Sequence, residues 1–259
     1  MFELESSYGE FESGADHFVV ETRMPGGIVL APRGHEVLTR SAAAGLTLTR
    51  AEIDALVEGV RRVDTVFPTR HFDPNEQKRH ALRRARCTSM AVALSEIRNH
   101  FILLHSRALR ATTRLDAMRW IGEALHLLQD SFSEAHTART FRATGAPHPI
   151  RFIRFFGLQG LPAPVEHQVF PMPDPRDLIT VGGRLRPAAA HSVVASKEFL
   201  SLMLRHLSRP TLPVRPTMLR PIRSISPAVA AGLRAFMNRH LVLGRPRIEP
   251  KSIYPTCPR

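Results

Sequence analysis

Cysteine is almost absent from this sequence: Cys87 and Cys257 are the only two. A pair so far apart along the chain excludes a disulfide framework and a thiolate zinc site, so any bound metal must be held by histidine and carboxylate. No apolar run approaches the roughly 20 residues that cross a bilayer, which excludes a transmembrane helix. Large polar aromatics are scarce, with one Trp and two Tyr, although fourteen Phe are present. The chain has no internal repeat, P-loop, dinucleotide fingerprint or Gly-x-Ser-x-Gly elbow, which sets aside the classes those motifs mark. Residues 1–22 lack the basic start and apolar core of a secretory signal. A soluble protein without a classical export signal is expected. The alternating acidic and apolar FELES and GEFES segments read as a flexible leader or an address for a specialised secretion route.

Positive charge and histidine are what the chain has in quantity. Its 36 Lys and Arg stand against 23 Asp and Glu, a formal +13. Such a balance attracts phosphate-rich partners such as nucleotides, nucleic acid or an anionic membrane surface, without choosing among them. Thirteen histidines suit a metal site built from nitrogen and oxygen donors. At 259 residues there is ample chain for one domain with a buried core.

The histidines are organised around WIGEALHLLQDSFSEAHTAR, residues 120–139. His126 and Asp130 are spaced to share one face of a helix, a turn apart, where both can reach one cation. His136 lies too far along a continuous helix to join them without a bend. Ser131 and Ser133 suit such a bend, and Ser133 is placed to start a new turn that carries His136. Upstream, GHEVLTRSAAAGL predicts a helix over about 36–44, and Gly45 breaks it. Thr49 then caps a second helix over about 50–63, with Glu52 completing a capping box. Residues 75–110 read as one long helix with Leu94, Ile97, Phe101 and Leu104 on its core face. His80, His100 and His105 fall on or near that helix and take structural roles. Further helices are expected over about 113–130, 186–207 and 227–241. Seven prolines between Pro147 and Pro175 break the middle of the chain into loops, in which IRFIRFFGL forms a brief helix or strand. The expected fold is therefore all-α, a single bundle-like domain with irregular Pro-rich loops. Its expected divisions are an acidic leader at 1–23, a helical domain at 24–208 and a basic Pro/Arg-rich extension at 209–259.

ALHLLQDSFSEAH resembles the ALHxxQDxxxxxH core of the zinc-dependent phospholipase C and single-strand nuclease superfamily. GHEVLTRSAAAGL resembles the helix-start histidine motif near that family's N-terminus, and VD followed by HFD resembles its next ligand cluster. The resemblance implies a bundle of the zinc phospholipase C type holding two or three zinc ions. It places His35 at a third metal and gathers Asp64, His71, His126 and Asp130 around a first. Asp130 bridges towards a second metal held by His136, and Asp64 orders or deprotonates the attacking water. Asp73 is close enough in sequence to stand in for Asp64. The family's HxxxE after the last core histidine is missing, so the remaining ligands of the second metal fall to His167 with Asp174, with His148 as the competing histidine. Arg139 is placed either to reach substrate phosphate or to form a surface salt bridge. The implied activity is hydrolysis of a phosphodiester by metal-activated water, phospholipase C-type cleavage of phospholipid first, with nuclease or nucleotidase activity as the alternative. The missing HxxxE leaves a third reading, an inactive helical binding protein with an incomplete metal centre.

Overall fold

The computed structural model describes residues 20–24, 27–31, 34–65, 73–140, 148–155, 179–181, 184–207 and 226–245. His71, His167, Asp174 and Cys257 lie outside them. Among the described residues six α-helices carry the architecture: α1 (Gly34–Ala43), α2 (Arg50–Thr65), α3 (Met90–Arg110), α4 (Arg114–Asp130), α5 (Pro187–Leu207) and α6 (Pro227–His240). Three antiparallel strand pairs accompany them: β1 (Val20–Met24) with β2 (Gly27–Ala31), β3 (Thr137–Arg139) with β4 (Ile150–Ile153), and β5 (Thr180–Val181) with β6 (Arg184–Leu185). The fold is thus mostly helical rather than wholly α. None of these helices is long and apolar enough to cross a membrane.

The helix starts follow from capping chemistry. Thr49 and Glu52 exchange hydrogen bonds, the Glu52 amide donating to Thr49 Oγ1 and the Thr49 amide to Glu52 Oε2, so two amides at the α2 terminus are satisfied. Thr113 caps α4 through the Asp116 amide, and Ser226 caps α6 through the Val229 amide. The long helix expected from residue 75 begins only at Met90, behind the Ser89 cap. Before it lies a 3-10 turn, Gln77–His80, closed by Ala81 in the left-handed region at φ 52°. That reversal is costly for a residue with a Cβ, and it turns the backbone immediately after His80.

Helix α4 is the axis of the molecule. Every residue from Ile121 to Asp130 is buried, so it is covered on all sides, as a helix apolar around most of its circumference must be. Its nearest neighbour is α2, because Gly59 and Gly122 let the two backbones touch. A Cβ on Gly122 would stand 2.2 Å from the Leu56 carbonyl oxygen, and one on Gly59 would stand 2.1 Å from that of Arg119.

At the other end of the core, Phe101, Phe199 and Phe236 pack with ring centroids 4.8 to 5.8 Å apart, joining α3, α5 and α6. The segment expected as an extension therefore supplies Leu233, Phe236, Met237 and Leu241 to the main core. Its apolar face at three- and four-residue spacing requires a partner, which the Pro/Arg-rich flank obscured in the sequence. The expected leader boundary likewise falls within a hairpin, since β1 pairs residue by residue with β2. Cys87 is disulfide-bonded, which its position along the chain did not suggest.

His100 and His105 occupy the buried face of α3. Burial pushes His100 down to about 3, with Arg79, Lys78 and Arg107 adding to the effect. Burial and His206 push His105 down to about 4. Both stay neutral in the folded protein at pH values where the unfolded chain, with an ordinary histidine value of 6.5, takes up protons. Their contribution is complete above pH 6.5 and is lost as pH falls from there towards 4, at up to about 1.4 kcal/mol per pH unit for each. The urea midpoint in chelator should accordingly begin to drop near pH 6.5. A midpoint that is flat down to the carboxylate range would contradict this account.

Candidate metal centre

Six polar side chains meet where α1, α2, the 3-10 turn and the end of α4 converge: His35, Asp64, His80, His126, Asp130 and His136. All are buried, and His126, Asp130 and His136 expose nothing to solvent, so their polar atoms must be satisfied from within.

His126 donates from Nδ1 to the Val60 carbonyl at 3.1 Å. That assignment leaves its Nε2 lone pair facing Asp130 Oδ2 at 3.1 Å, His80 Nδ1 at 3.2 Å and Asp64 Oδ1 at 3.5 Å. His80 Nδ1 in turn stands 3.3 Å from Asp130 Oδ2 and 3.8 Å from Asp64 Oδ1. On the other side His35 donates from Nδ1 to Gln129 Oε1 at 2.8 Å and turns Nε2 to Asp130 Oδ1 at 3.1 Å. Gln129 is itself held by donating to Thr39 Oγ1. The rings of His35 and His126 stack with centroids 4.1 Å apart. Asp130 is the hub, with one carboxylate oxygen towards His35 and the other among His80, His126 and His136.

The charges follow from the surroundings. Burial pushes His126 down to about 4, reinforced by His35 and opposed by Asp130, so it is neutral at pH 7. Burial alone would raise the Asp130 carboxyl, but His136, His126 and His35 beside it hold it well below the usual carboxylate range. The inward Nε2 of His126 and the ionised oxygens of Asp130 thus converge as acceptors, an arrangement that invites a cation. Two groups, His35 with His126 and Asp130, and Asp64 with His80 and His126, could each hold a metal ion.

The local folding explains the placement. Asp64 lies five residues beyond Gly59 on α2 and His126 four beyond Gly122 on α4, so the close helix contact brings them together. Helix α4 ends at Asp130, where Ser131 Oγ donates back to the Leu128 carbonyl at 2.6 Å. Ser133 starts the expected new turn, its Oγ accepting from the Ala135 amide and its carbonyl from the His136 amide. His136 Nδ1 donates to the His80 carbonyl and lies 3.5 Å from Asp130 Oδ2. It belongs to the cluster, though to neither three-residue group.

Five expected residues therefore come together: His35, Asp64, His126, Asp130 and His136. His71, His167 and Asp174 fall outside the described residues. His80, expected only in a structural role, stands beside Asp64 and His126. It was missed because the apparent helix from residue 75 hid the turn. A histidine closing a polar segment sixteen residues after Asp64 was the available signal. Asp73 does not enter the cluster: its Oδ1 accepts from the Asn75 amide at 2.8 Å. His148 packs on His191, with centroids 4.1 Å apart. Arg139 forms no surface salt bridge among the described residues. Its guanidinium donates to the carbonyls of Ser131, His148 and His240, tying the end of α4 to the start of β4 and the end of α6.

No family model, curated protein or solved structure matches the chain.

Proposed function

We propose that the protein is a zinc-dependent phosphoric ester hydrolase of the type its core motif resembles, cleaving a phosphodiester. Phospholipase C-type substrates come first. The carrying observation is a set of distances. Five separations among His80 Nδ1, His126 Nε2, Asp64 Oδ1 and Asp130 Oδ2 run from 3.1 to 3.8 Å. Two donors at zinc's usual bond lengths on a tetrahedral ion stand roughly 3.3 Å apart. The donor set fits as well. Both His126 and His35 have one ring nitrogen fixed by an oxygen acceptor and the other turned inwards, the outer support usual for metal-ligating imidazoles.

His80, His126, Asp64 and Asp130 would hold one ion, and His35 with the second oxygen of Asp130 would serve another. Zinc bound there supplies a Lewis acid and water whose pKa falls to about 7. The chain's own residues do the rest. The Val60 carbonyl and Gln129 fix the tautomers of His126 and His35. The burial of α4 keeps bulk water off the hub. Asp64, whose Oδ1 stands 3.8 Å from Nδ1 of the cavity-lining His80, would hold the proton of the attacking group. That same cavity is lined by Trp120, the chain's only tryptophan. This favours a nucleotide ester as the second reading, because a base can stack on an indole face.

The test is metal content by mass spectrometry on the full-length chain, with hydrolysis of bis(p-nitrophenyl) phosphate, phosphatidylcholine vesicles and single-stranded DNA. The expected result is two zinc per chain and hydrolysis that chelator abolishes and zinc restores. A chain that binds no zinc and cleaves none of the three would overturn the proposal and leave an inactive helical scaffold.

A further inference from the structure

A cavity of about 260 Å³ opens against the outer side of His80. Among the described residues, Arg62, Arg79, Arg107, Trp120 and Glu123 form the rest of its charged and aromatic lining. The three arginines come from α2, the 3-10 turn and α3, so their guanidinium groups approach one small space from three directions.

Arg62 and Arg107 make no close carboxylate pair among the described residues. Arg62 and Arg79 approach Glu123 only to 3.9 and 3.6 Å. Elsewhere in the same protein Arg114–Glu52 and Arg119–Glu58 close to 2.7 and 2.8 Å. Arg79 also pairs with Glu76. Arg107 closes no ion pair within 4 Å among the described residues, although its charge acts on Glu123, and it lies over the Trp120 ring at 4.7 Å, with Arg62 at 5.9 Å from the same ring. Among the described residues, counting Glu76 and Glu123 against the three arginines leaves a net positive charge around the cavity. The field reaches further: His100 is pushed down to about 3 by burial, with Arg79 and Arg107 among the contributing charges. Like charges gathered around a concave space repel, and an anion entering it relieves that repulsion. A planar carboxylate offers two oxygens to one guanidinium fork, whereas a tetrahedral phosphate can present oxygens to three at once.

We propose that the cavity bounded by Arg62, Arg79, Arg107 and Trp120 is a phosphate-binding subsite. Its use in catalysis rests on the hydrolase reading above, because His80 and Val63 place it against the Asp64, His80 and His126 group. Binding of the anion does not rest on that reading.

The single tryptophan lines the cavity, so its fluorescence reports occupancy directly. Inorganic phosphate titrated into the full-length chain at constant ionic strength, with chelator present, should give a saturable change. Arg107 is exposed, so Arg107→Gln should leave the helical circular dichroism intact while weakening phosphate about tenfold or more, the loss of a hydrogen bond between charged groups. Arg62→Gln should weaken it similarly. Phosphocholine and adenosine monophosphate, titrated alike, separate a lipid headgroup from a nucleotide as the source of the phosphate, and the tighter binder names it. Should neither bind while inorganic phosphate does, the subsite is one for the free anion. The proposal is overturned if phosphate gives no saturable change, if chloride at equal ionic strength gives the same change, or if both variants bind as tightly as the wild type. Phosphate binding by a chain that never takes up zinc would sink the hydrolase reading alone. Zinc-dependent hydrolysis without a phosphate response would sink this one alone.

Discussion

His80→Ala should strip most of the metal from the protein and abolish phosphodiester hydrolysis. Its Nδ1 stands within 3.2 to 3.8 Å of His126 Nε2, Asp130 Oδ2 and Asp64 Oδ1, so truncation removes a donor from the middle of the set rather than from its edge. The loss in apparent zinc affinity should exceed the roughly 10–100-fold that follows removal of an outer-shell partner. Gln129→Ala supplies that comparison within the same site, because it takes away the acceptor that orients His35 and leaves every proposed ligand in place. It should fall inside the 10–100-fold range. His148→Ala should retain its metal, since that ring packs on His191 and joins neither metal-competent group. Zinc per chain and competition with a chromophoric chelator measure all three. If His80→Ala keeps wild-type affinity while Gln129→Ala does not, the hub is organised around His35 alone and the four-donor arrangement is wrong.

The sequence carried the α4 half of the site because periodicity and spacing act locally. His126 and Asp130 share a helix face by geometry alone, and Ser131 and Ser133 mark where the helix must stop for His136 to return. The Thr49 and Glu52 capping box was readable for the same reason. His80 was not, because what aims it inwards is the left-handed Ala81, a residue with no sequence mark of that conformation. Arg139 was misplaced because three carbonyl partners from separate elements are a tertiary fact. The β1–β2 hairpin was hidden by flanking Gly and Pro that suggested only a loop. In α6 the basic, Pro-rich flank concealed an apolar face that completes the Phe101–Phe199–Phe236 contact. The Arg139 and α6 misses concern contacts between distant segments, which composition and period do not encode.

Gly122→Ala should cost stability and metal binding together. In an isolated helix the change would help by about 1 kcal/mol, since alanine has the better helix propensity. Here the new Cβ would meet the Leu56 carbonyl oxygen at 2.2 Å and the Gly59 Cα at 2.9 Å. Backbone atoms cannot rotate away as a side chain can, so α2 must move off α4. Overpacking of this kind typically costs 1–3 kcal/mol, and a backbone contact belongs at the upper end, leaving a net loss of about 2 kcal/mol. The displaced helix carries both Asp64 and the Val60 carbonyl that orients His126, so zinc affinity should fall although no donor has been altered. Gly232→Ala on α6 is the control. Its Cβ would meet the Leu202 Cδ1 at 3.2 Å, the end of a flexible side chain, so the change should be neutral or stabilising by up to about 1 kcal/mol, with zinc binding unchanged. Urea denaturation and zinc titration on both variants make the comparison. Equal stability of Gly122→Ala and the wild type would mean that the helices are not in backbone contact, and a destabilised variant with intact zinc affinity would separate that contact from the site.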